Sequence, residues 1–467
     1  MIRFTKTLAA AAALAAVLPM STQAATTVAP YFEAWAYWGG YTPTTLMEAM
    51  NDGGLKGATM AFGISGGGCT LGGGLENLMS GTGLADITAF QAAGGKAILS
   101  FGGAAGTYLE AACTEDGMYS LIRNVIDTTK VKALDFDIEG GQLNNTSLNS
   151  KRNNVIKRLQ ATYPGLYVSF TLPVDPWGLP GSAVTLLRSA ETAGVVTSVV
   201  NIMAMDYGPD ADQGRPMGDL AILAAEATFN QIKGIYTGKT DAQLWAMIGI
   251  TPMIGVNDVQ TEVFRQGDAT QVAAFAKEKG LGLLAYWAIQ RDMPGGTDFN
   301  THSLVNNYPY EFYKLLSAGG GNGPVKDGRY LIKSTFSGKC FEVEGGSMAD
   351  SAQIVQMSCR SVGKQRFDVK DMGGGNYRML NQRSGKAIDI AAASNADGAK
   401  VQQYTDNGTG AQRFSFVPTG VAGEYTIVNQ HSGKCLDVTD KSQQDGAKIQ
   451  QWTCSGGANQ KFRVKKQ

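Results

Sequence analysis

Three carboxylates stand at alternate positions between residues 131 and 139, in the order Asp135, Asp137 and Glu139. Alternate side chains of a β-strand point to one face, so the three acids would share a face while the apolar residues between them pack on the other. Carboxylates about 6–7 Å apart repel one another, and we expect the pKa of at least one to be raised. A raised pKa keeps a carboxylic acid protonated near neutral pH, as a general acid requires.

Eight apolar runs, which alternate with amphipathic segments such as 150–163, predict the strands that position these acids. Alternating strands and helices are typical of a parallel sheet, and eight units in roughly 290 residues fit an α/β fold, the (β/α)8 TIM barrel. The active site of such a barrel lies at the carboxyl ends of its strands, and Glu139 ends the fourth run. The runs are 31–38, 57–64, 96–101, 131–139, 166–174, 196–205, 246–252 and 281–289.

The composition predicts a globular protein of two or three domains. Among 467 residues, 40 are Lys or Arg and 40 are Asp or Glu, so the net charge gives no reason to expect nucleic acid or a membrane as partner. With His302 and His431 as the two histidines, we expect no metal and no cofactor. Calcium is an alternative use of three acids, but Phe136 and Ile138 do not suit a calcium loop.

The first residues have the pattern of a secretory signal peptide. Arg3 and Lys6 form the positive start, 8–18 form the apolar run, and Ala24 ends a stretch suited to cleavage. The apolar run is too short to span a bilayer, although a retained anchor is the alternative. We therefore expect a secreted, extracellular protein whose cysteines meet an oxidising compartment.

The six cysteines are predicted to form three disulfides. Two pairs have the same spacing of 19 positions within two similar segments, and the third pair would join the loops after the second and third runs. Counting alone leaves many connectivities open, so the prediction depends on the repeat. The predicted pairs are Cys340–Cys359, Cys435–Cys454 and Cys69–Cys113.

Small residues ending in a proline divide the chain and read as a flexible linker. We predict a signal peptide at 1–24, a barrel domain at 25–317, the linker at 318–324 and a second domain at 325–467. The second domain contains three similar segments that repeat at steps of 47 and 48 residues. Short apolar alternations between turns predict an all-β fold, and the three repeats predict threefold pseudosymmetry around one core.

The acid run is similar to the signature of glycoside hydrolase family 18, the chitinases. The segment 134–139 resembles the DxxDxDxE motif, and 100–103 matches the family's SxGG motif at the end of the third strand. Trp287, near the end of the eighth run, resembles the family's strand-eight tryptophan. The resemblance covers roughly 26–316 and implies an endo-acting enzyme that cleaves chitin or chitooligosaccharides.

Two positions depart from the family pattern. Lys132 stands where the signature has its first Asp. The family's MxYD motif on strand six appears as 203–207, in which Met205 occupies the place of the tyrosine. Asp206 fits the motif, and the resemblance implies that Tyr207 supplies the hydroxyl instead.

The resemblance implies substrate-assisted catalysis with retention of the anomeric configuration. Two acids on one strand face cannot easily flank a glycosidic bond, and family 18 uses a group of the substrate instead. Glu139 would protonate the leaving oxygen while the carbonyl oxygen of the 2-acetamido group attacks the anomeric carbon, which gives an oxazolinium ion. Asp137 would orient the amide, and Asp135 would adjust its proton balance. Asp206 and Tyr207 would hold the acetamide.

Three further side chains would contact the sugar in this resemblance. Trp287 would form an apolar floor under the ring, Trp35 would add a stacking surface, and Met203 would line the site. Plain core packing is the alternative for both tryptophans.

The second domain is similar to the ricin B-type β-trefoil, carbohydrate-binding module family 13, with Phe in place of Trp in each QxW motif. The family's sugar site combines an Asp, a stacking aromatic and an Asn before the final Gln, because polar groups fix the hydroxyls while the ring covers the apolar sugar face. The third repeat has the full set, the second has part of it, and the first, with Glu342, Met357 and Lys364 at the corresponding positions, is degenerate. These residues are Asp437, Trp452, Asn459 and Gln460 in the third repeat and Asp389 and Tyr404 in the second.

Three hypotheses for the whole chain follow. The first is a monomeric secreted chitinase whose trefoil binds chitin or another polysaccharide. The second is an endo-β-N-acetylglucosaminidase that acts on glycoprotein or mucin glycans by the same mechanism. The third, of another class, is a carbohydrate-binding lectin without catalysis, which Glu139 disfavours because a lectin needs no inward acids.

Overall fold

The structure is a computed structural model that describes residues 26–305, 307, 309–317, 325–372, 376–419 and 423–467. The predicted signal peptide and linker lie outside the described residues. Within these ranges, no helix has the length and apolar character needed to cross a membrane.

The first part of the chain alternates strands β1–β12 with helices α1–α11. The strands are Thr27–Val28, Tyr31–Glu33, Gly57–Ser65, Leu71–Gly72, Lys96–Gly102, Ala133–Asp137, Tyr167–Pro173, Val199–Met203, Ile248–Thr251, Gly255–Val256, Val263–Phe264 and Leu283–Leu284. The helices are Leu46–Gly53, Gly81–Ala92, Leu109–Ala112, Glu115–Thr129, Thr146–Thr162, Gly181–Ala193, Pro209–Asp212, Met217–Lys233, Asp241–Trp245, Gln266–Lys279 and Glu311–Ser317.

The parallel sheet closes on itself, which confirms the predicted TIM-barrel fold. Its strand order is β1-β12-β9-β8-β7-β6-β5-β3-β2. Strands β1 and β2 are consecutive segments of the first strand; β1 pairs with β12 and β2 with β3, so the first strand joins both edges. Each of the eight predicted runs contains one barrel strand. The first run is strand only as far as Glu33, because 34–38 forms a 3-10 helix.

Strand β6 carries the acid run between two buried layers. Phe136 is buried, and its ring lies 5.8 Å from the Phe101 ring and 6.2 Å from the Phe170 ring on the neighbouring strands. The pairing registers place these three phenylalanines side by side, so they form one apolar layer. The side chains of Asp135 and Asp137 point away from this layer. The strand ends at Asp137, and Glu139 follows in an extended conformation.

The helices pack an apolar face against the barrel, as α4 illustrates. Its buried residues Met118, Ile122, Val125 and Ile126 recur at helical spacing. The Thr114 side chain accepts a hydrogen bond from the Gly117 backbone N–H and caps its first turn.

The second domain is all-β, which confirms the trefoil expectation for fold class. Its strands β13–β24 are Gly328–Ser334, Cys340–Val343, Ala352–Met357, Arg366–Asp371, Tyr377–Asn381, Ala387–Ile390, Val401–Tyr404, Phe414–Pro418, Glu424–Asn429, Cys435–Val438, Ile449–Trp452 and Phe462–Lys466. The three repeats share one apolar core, to which each contributes an equivalent residue after its Gly-Lys turn. These residues are Phe341, Ile388 and Leu436.

Equivalent ion pairs join each trefoil repeat to the next. In each, an Asp carboxylate of one repeat accepts a hydrogen bond from a Lys of the following repeat, and the third repeat returns to the first. The pairs are Asp350–Lys386 at 2.6 Å, Asp397–Lys434 at 2.8 Å and Asp445–Lys339 at 2.7 Å. The sequence period therefore becomes a closed threefold arrangement.

All three predicted disulfides are confirmed. Within the trefoil they close the first and third repeats, and in the barrel one joins the loop after β3 to the loop after α3. The bonded pairs are Cys340–Cys359, Cys435–Cys454 and Cys69–Cys113.

Candidate active site

Asp135 is the deepest of the three acids and is surrounded by hydroxyl groups. Its carboxylate accepts hydrogen bonds from Ser100 Oγ at 2.7 Å, Ser169 Oγ at 2.6 Å and Thr171 Oγ1 at 2.9 Å. Burial raises its pKa, and these hydrogen bonds oppose the rise because they stabilise the charged form. Asp135 is therefore a fixed buried carboxylate that acts on its neighbours and not on a bound molecule.

Asp137 lies two residues after Asp135, at the carboxyl end of strand β6, and lines the cavity. The Tyr31 hydroxyl lies 3.2 Å from Asp135 Oδ2 and 3.4 Å from Asp137 Oδ2, so it bridges the two carboxylates. Burial first, and then the charges of Glu139 and Asp135, raise the pKa of Asp137 well above its ordinary value. Among the described residues, Asp137 Oδ1 is buried without a hydrogen-bond partner. The Asp137 carboxylate shares a hydrogen bond with the Glu139 carboxyl, and a bound molecule could supply the N–H that Oδ1 lacks.

Glu139 is half-buried at the mouth of the acid ladder and lines the same cavity. Its backbone N–H donates to the Tyr108 hydroxyl at 3.1 Å, which fixes the chain where the strand has ended. Burial raises the pKa of the Glu139 carboxyl, a side-chain hydrogen bond with Asp137 opposes that rise, and the charge of Asp258 adds to it. The group is thus suited to stay protonated in a cavity open to solvent.

The two glycines of the SxGG segment, Gly102 and Gly103, allow the end of strand β5 to lie close against strand β6, which carries the acids. A Cβ atom on Gly102 would lie 1.9 Å from the Asp137 carbonyl oxygen, so a larger residue would push the strands apart. The Gly103 N–H donates to that same carbonyl at 3.0 Å. Any side chain at Gly103 would also meet the Phe62 ring, at 2.8 Å.

Aromatic rings form one wall of a cavity of about 650 Å³ above the acids. The Trp287 and Phe62 rings stack 5.7 Å apart at an interplanar angle of 8°. The Tyr31 ring lies 5.7 Å from Trp287, and the Trp35 ring lies 6.3 Å from it. The structure therefore brings Trp287 and Trp35 together at the cavity, as the sequence analysis predicted for sugar contacts.

Strand β8 ends at Met203, which lines the cavity, and the loop after it brings Met205 and Asp206 to the same cavity. Asp206 Oδ1 accepts a hydrogen bond from the Val259 N–H at 2.8 Å. Burial and the nearby Asp258 charge raise the pKa of Asp206. Met203 and Asp206 thus lie at the cavity where the sequence analysis expected them, and their roles stay predictions.

Tyr207 does not line the cavity. It packs against the barrel core, its hydroxyl is buried, and in the described part of the chain that hydroxyl has no hydrogen-bond partner. The Glu262 carboxylate holds the backbone here by accepting from the Tyr207 N–H at 3.1 Å and the Gly208 N–H at 2.6 Å. Because Tyr207 is not among the cavity residues, its geometry gives no support for holding the acetamide, and that role stays a prediction.

The sequence analysis missed Tyr31, Thr171 and Asp258. Tyr31 lies on β2 and Thr171 on β7, the first and fifth strands of the barrel. The register between β6 and β7 places Thr171 beside Asp137. Asp258 lies between the short strands β10 and β11, which follow β9, and lines the cavity. No sequence pattern singles it out.

The acids around the cavity do not form a metal site within the described residues. No group of three or more His, Cys, Asp or Glu side chains there could hold a metal ion.

In the third trefoil repeat, three of the four predicted sugar-site residues form one hydrogen-bonded group, and Trp452 lies on the strand that pairs with that of Asp437. Asp437 Oδ2 accepts hydrogen bonds from Asn459 Nδ2 at 2.7 Å and from Gln460 Nε2 at 3.0 Å. The Trp452 side chain is 44% exposed, which leaves its indole available for stacking. Gln460 also accepts from the Ser455 N–H at 2.8 Å, so it ties the backbone together as well.

The other two repeats retain less of this arrangement. In the second, Asp389 accepts from Gln412 Nε2 at 3.1 Å and Tyr404 is exposed, but the buried Ala411 takes the place of the Asn. In the first, Lys364 Nζ lies 2.8 Å from Glu342 Oε1 and neutralises the carboxylate that would bind a sugar. The order of completeness matches the sequence analysis.

A TIM barrel whose fourth strand ends in a ladder of acids below an aromatic cavity defines the catalytic domain of a glycoside hydrolase. Comparison with solved structures agrees. The catalytic domain of a hyperthermophilic chitinase from Pyrococcus furiosus is 32% identical, with a TM-score of 0.56, and the match covers 63% of this chain and 95% of that one. A structure of the same chitinase's active domain 2 complexed with chito-oligosaccharides matches equally well.

Two curated relatives match the same part of the chain. "Probable bifunctional chitinase/lysozyme" of Escherichia coli is 35% identical over 246 residues, and "Endochitinase 11" of Metarhizium anisopliae is 36% identical over 219 residues. These matches cover 50% and 44% of this chain, and only 27% and 42% of the relatives' own lengths. Residues 328–462 match the model of the ricin-type beta-trefoil lectin domain. The chain belongs to the family 18 chitinases and carries a ricin-type trefoil as its second domain.

Proposed function

We propose that the chain hydrolyses β-1,4 bonds between N-acetylglucosamine units of chitin, with retention, by substrate-assisted catalysis. The observation that carries this proposal is the buried Asp137 carboxylate, which lines the cavity beside Glu139 and whose Oδ1 receives no hydrogen bond from an N–H or hydroxyl group of the described residues. A substrate amide N–H would satisfy this oxygen, and leaving it unsatisfied in every state would be costly. The Trp287 face offers the matching apolar surface for a sugar ring.

The chemical step uses one acid and the substrate's own amide. Glu139 donates its proton to the glycosidic oxygen as the bond to the anomeric carbon breaks. The 2-acetamido carbonyl oxygen bonds to that carbon from the opposite face and forms an oxazolinium ion, so the leaving alcohol departs with the proton. Water then attacks the anomeric carbon and gives its proton to Glu139, and the double displacement retains configuration.

Asp137 and Asp135 adjust the charge during this step. Asp137 accepts the amide N–H, which aligns the carbonyl oxygen and offsets the positive charge that develops on the oxazolinium ring. The hydroxyl groups around Asp135 hold that carboxylate in place, so it does not need to reorganise. Incubation with the N-acetylglucosamine hexamer tests the proposal: we expect β-anomeric products at early times, and α-anomeric products would contradict it.

The natural setting is outside the cell. The pattern of the first 24 residues and the three disulfides both fit a protein exported to an oxidising compartment. A polymeric, insoluble substrate must also be attacked where it lies.

The trefoil keeps the enzyme on the polysaccharide. Replacing Trp452 with alanine removes the stacking surface of the most complete repeat, and we expect roughly tenfold weaker binding to insoluble chitin. Rates on soluble oligosaccharides should not change, because the barrel cavity is untouched. Val362→Ala, which removes an exposed apolar side chain of the first repeat, is the matched control. Equal losses on soluble and insoluble substrates would count against a separate anchoring domain.

Asp258 is predicted to set the alkaline limit of activity through Glu139. Its charge contributes to the raised pKa of Glu139, so Asp258→Asn should lower that pKa. The acid then loses its proton at lower pH, and the alkaline limb of the pH profile of kcat/KM moves to lower pH. Asp258→Glu keeps the charge and should keep the limb. An alkaline limb that stays in place or moves upward in Asp258→Asn would refute this role.

A further inference from the structure

Trp177 is a large aromatic residue that the fold exposes beside the active-site cavity. Its side chain is 66% exposed. Asp175, two positions before it, and Pro180, three positions after it, both line the cavity. Single apolar residues on a surface are ordinary, so the way in which this one is held decides its meaning.

The turn that carries the indole is held rigidly from both sides. Asp175 and Gly178 exchange two backbone hydrogen bonds, at 3.0 and 2.9 Å. The Gln231 side chain accepts from the Leu179 N–H at 2.8 Å and donates to the Leu179 carbonyl oxygen at 2.9 Å. Gly178 has a φ of +119°, and a Cβ atom there would lie 2.6 Å from Gln231 Oε1, so only glycine fits. The fold thus fixes the turn while its tip stays exposed.

A second exposed indole lies across the cavity. Trp38 is also 66% exposed, lines the cavity, and donates its indole N–H to Asn77 Oδ1 at 3.0 Å. Trp38 follows β2, the first strand of the barrel, whereas Trp177 follows β7, the fifth strand of the barrel. The first and fifth strands of an eight-stranded barrel are opposite each other. A path from Trp38 over Trp287 to Trp177 therefore crosses the whole carboxyl end of the barrel.

We propose that Trp177 is a sugar-stacking platform that extends the binding cleft beyond the cavity along a chain of N-acetylglucosamine. This inference rests on the proposed function, because it takes the same polymer as the ligand. A pyranose ring presents an apolar face that an indole can cover. Because the turn is already rigid, stacking requires little further ordering of the protein.

Trp177→Ala should lower kcat/KM for the N-acetylglucosamine hexamer roughly tenfold, mainly through a higher KM. It should leave kcat/KM for a nitrophenyl glycoside of the dimer unchanged, since that substrate is short enough to stay within the cavity. Trp177→Phe keeps a flat ring and should recover most of the loss. Val196→Ala is the matched control, because Val196 is 68% exposed and precedes strand β8 at the opposite end of the barrel.

The outcomes separate this inference from the proposed function. If the wild-type protein cleaves the hexamer and Trp177→Ala cleaves it equally well, the platform is refuted and the proposed function stands. Equal losses on dimer and hexamer, or no recovery in Trp177→Phe, would also refute the platform, since both indicate a structural effect. If the wild-type protein cleaves neither substrate, the proposed function fails and this inference fails with it.

Discussion

Replacing Glu139 with glutamine is expected to lower the turnover of N-acetylglucosamine oligomers at least about a hundredfold, the usual effect of losing a general acid. Glutamine keeps the shape of the side chain but cannot donate the required proton to the glycosidic oxygen. Because the cavity wall is unchanged, the affinity for the oligomer should stay close to that of the wild-type protein. Steady-state kinetics on the tetramer, together with calorimetric binding to the variant, would measure both quantities.

A matched control for this variant is Glu226→Gln, which makes the same chemical change at an exposed position of helix α8. It should leave both turnover and affinity unchanged. Turnover close to the wild-type value in Glu139→Gln would mean that another group supplies the proton. A loss of affinity with turnover unchanged would mean that Glu139 binds the substrate and does not protonate it.

Replacing Asp137 with asparagine should lower kcat by roughly a hundredfold to a thousandfold. The change removes the negative charge that offsets the oxazolinium ion while keeping the side-chain volume. It should also weaken inhibition by a thiazoline that mimics that ion, by tenfold or more, because the Asp137 carboxylate would no longer accept the N–H of the protonated thiazoline ring. Kinetics and thiazoline inhibition constants for both proteins would measure the effect.

Asp52→Asn, at an exposed position of helix α1, is the control for charge removal alone. It should change neither kcat nor the inhibition constant. Thermal unfolding of Asp137→Asn should show a cooperative transition, since the substitution relieves repulsion between neighbouring carboxylates. A fall in kcat without any change in thiazoline inhibition would contradict participation of the acetamide.

The sequence predicted the acid ladder because strand alternation is a local rule. Asp135 and Asp137 share a face, as the spacing requires, and Phe136 packs on the other. The environment of the ladder depends on which strands are neighbours and in what register. Strand β2 contributes the bridging Tyr31 hydroxyl, β5 contributes one serine beside Asp135, and β7 contributes the other serine and the threonine.

Loops set the limits of the sequence analysis. Asp258 reaches the cavity from the loop between strands β10 and β11, and its chain neighbours give no periodic signal. Tyr207 is adjacent to a recognisable motif, yet the Glu262 carboxylate fixes its backbone from a distant loop and its ring packs against the core. The side chains that line the cavity from loops therefore depend on contacts that spacing does not encode.

The trefoil was more predictable because each repeat confirms the others. The repeat period located the equivalent Gln side chains and the two trefoil disulfides, and the resemblance to the ricin B-type trefoil predicted the graded completeness of the sugar sites. It did not show the ion pairs that connect the repeats, since Asp350 pairs with a lysine 36 positions away in the next repeat. Such pairs follow from closure of the threefold arrangement.

The most direct test of the central claim is the early-time digestion of the N-acetylglucosamine hexamer by the wild-type protein and by Glu139→Gln, read by product length and anomeric form. We predict internal cleavage to dimer, trimer and tetramer in the β-anomer by the wild-type protein, and no cleavage by the variant. Initial products in the α-anomer, or equal cleavage by both proteins, would contradict retaining, substrate-assisted catalysis with Glu139 as the acid. No cleavage by either protein would contradict chitin as the substrate and direct the search to glycoprotein glycans.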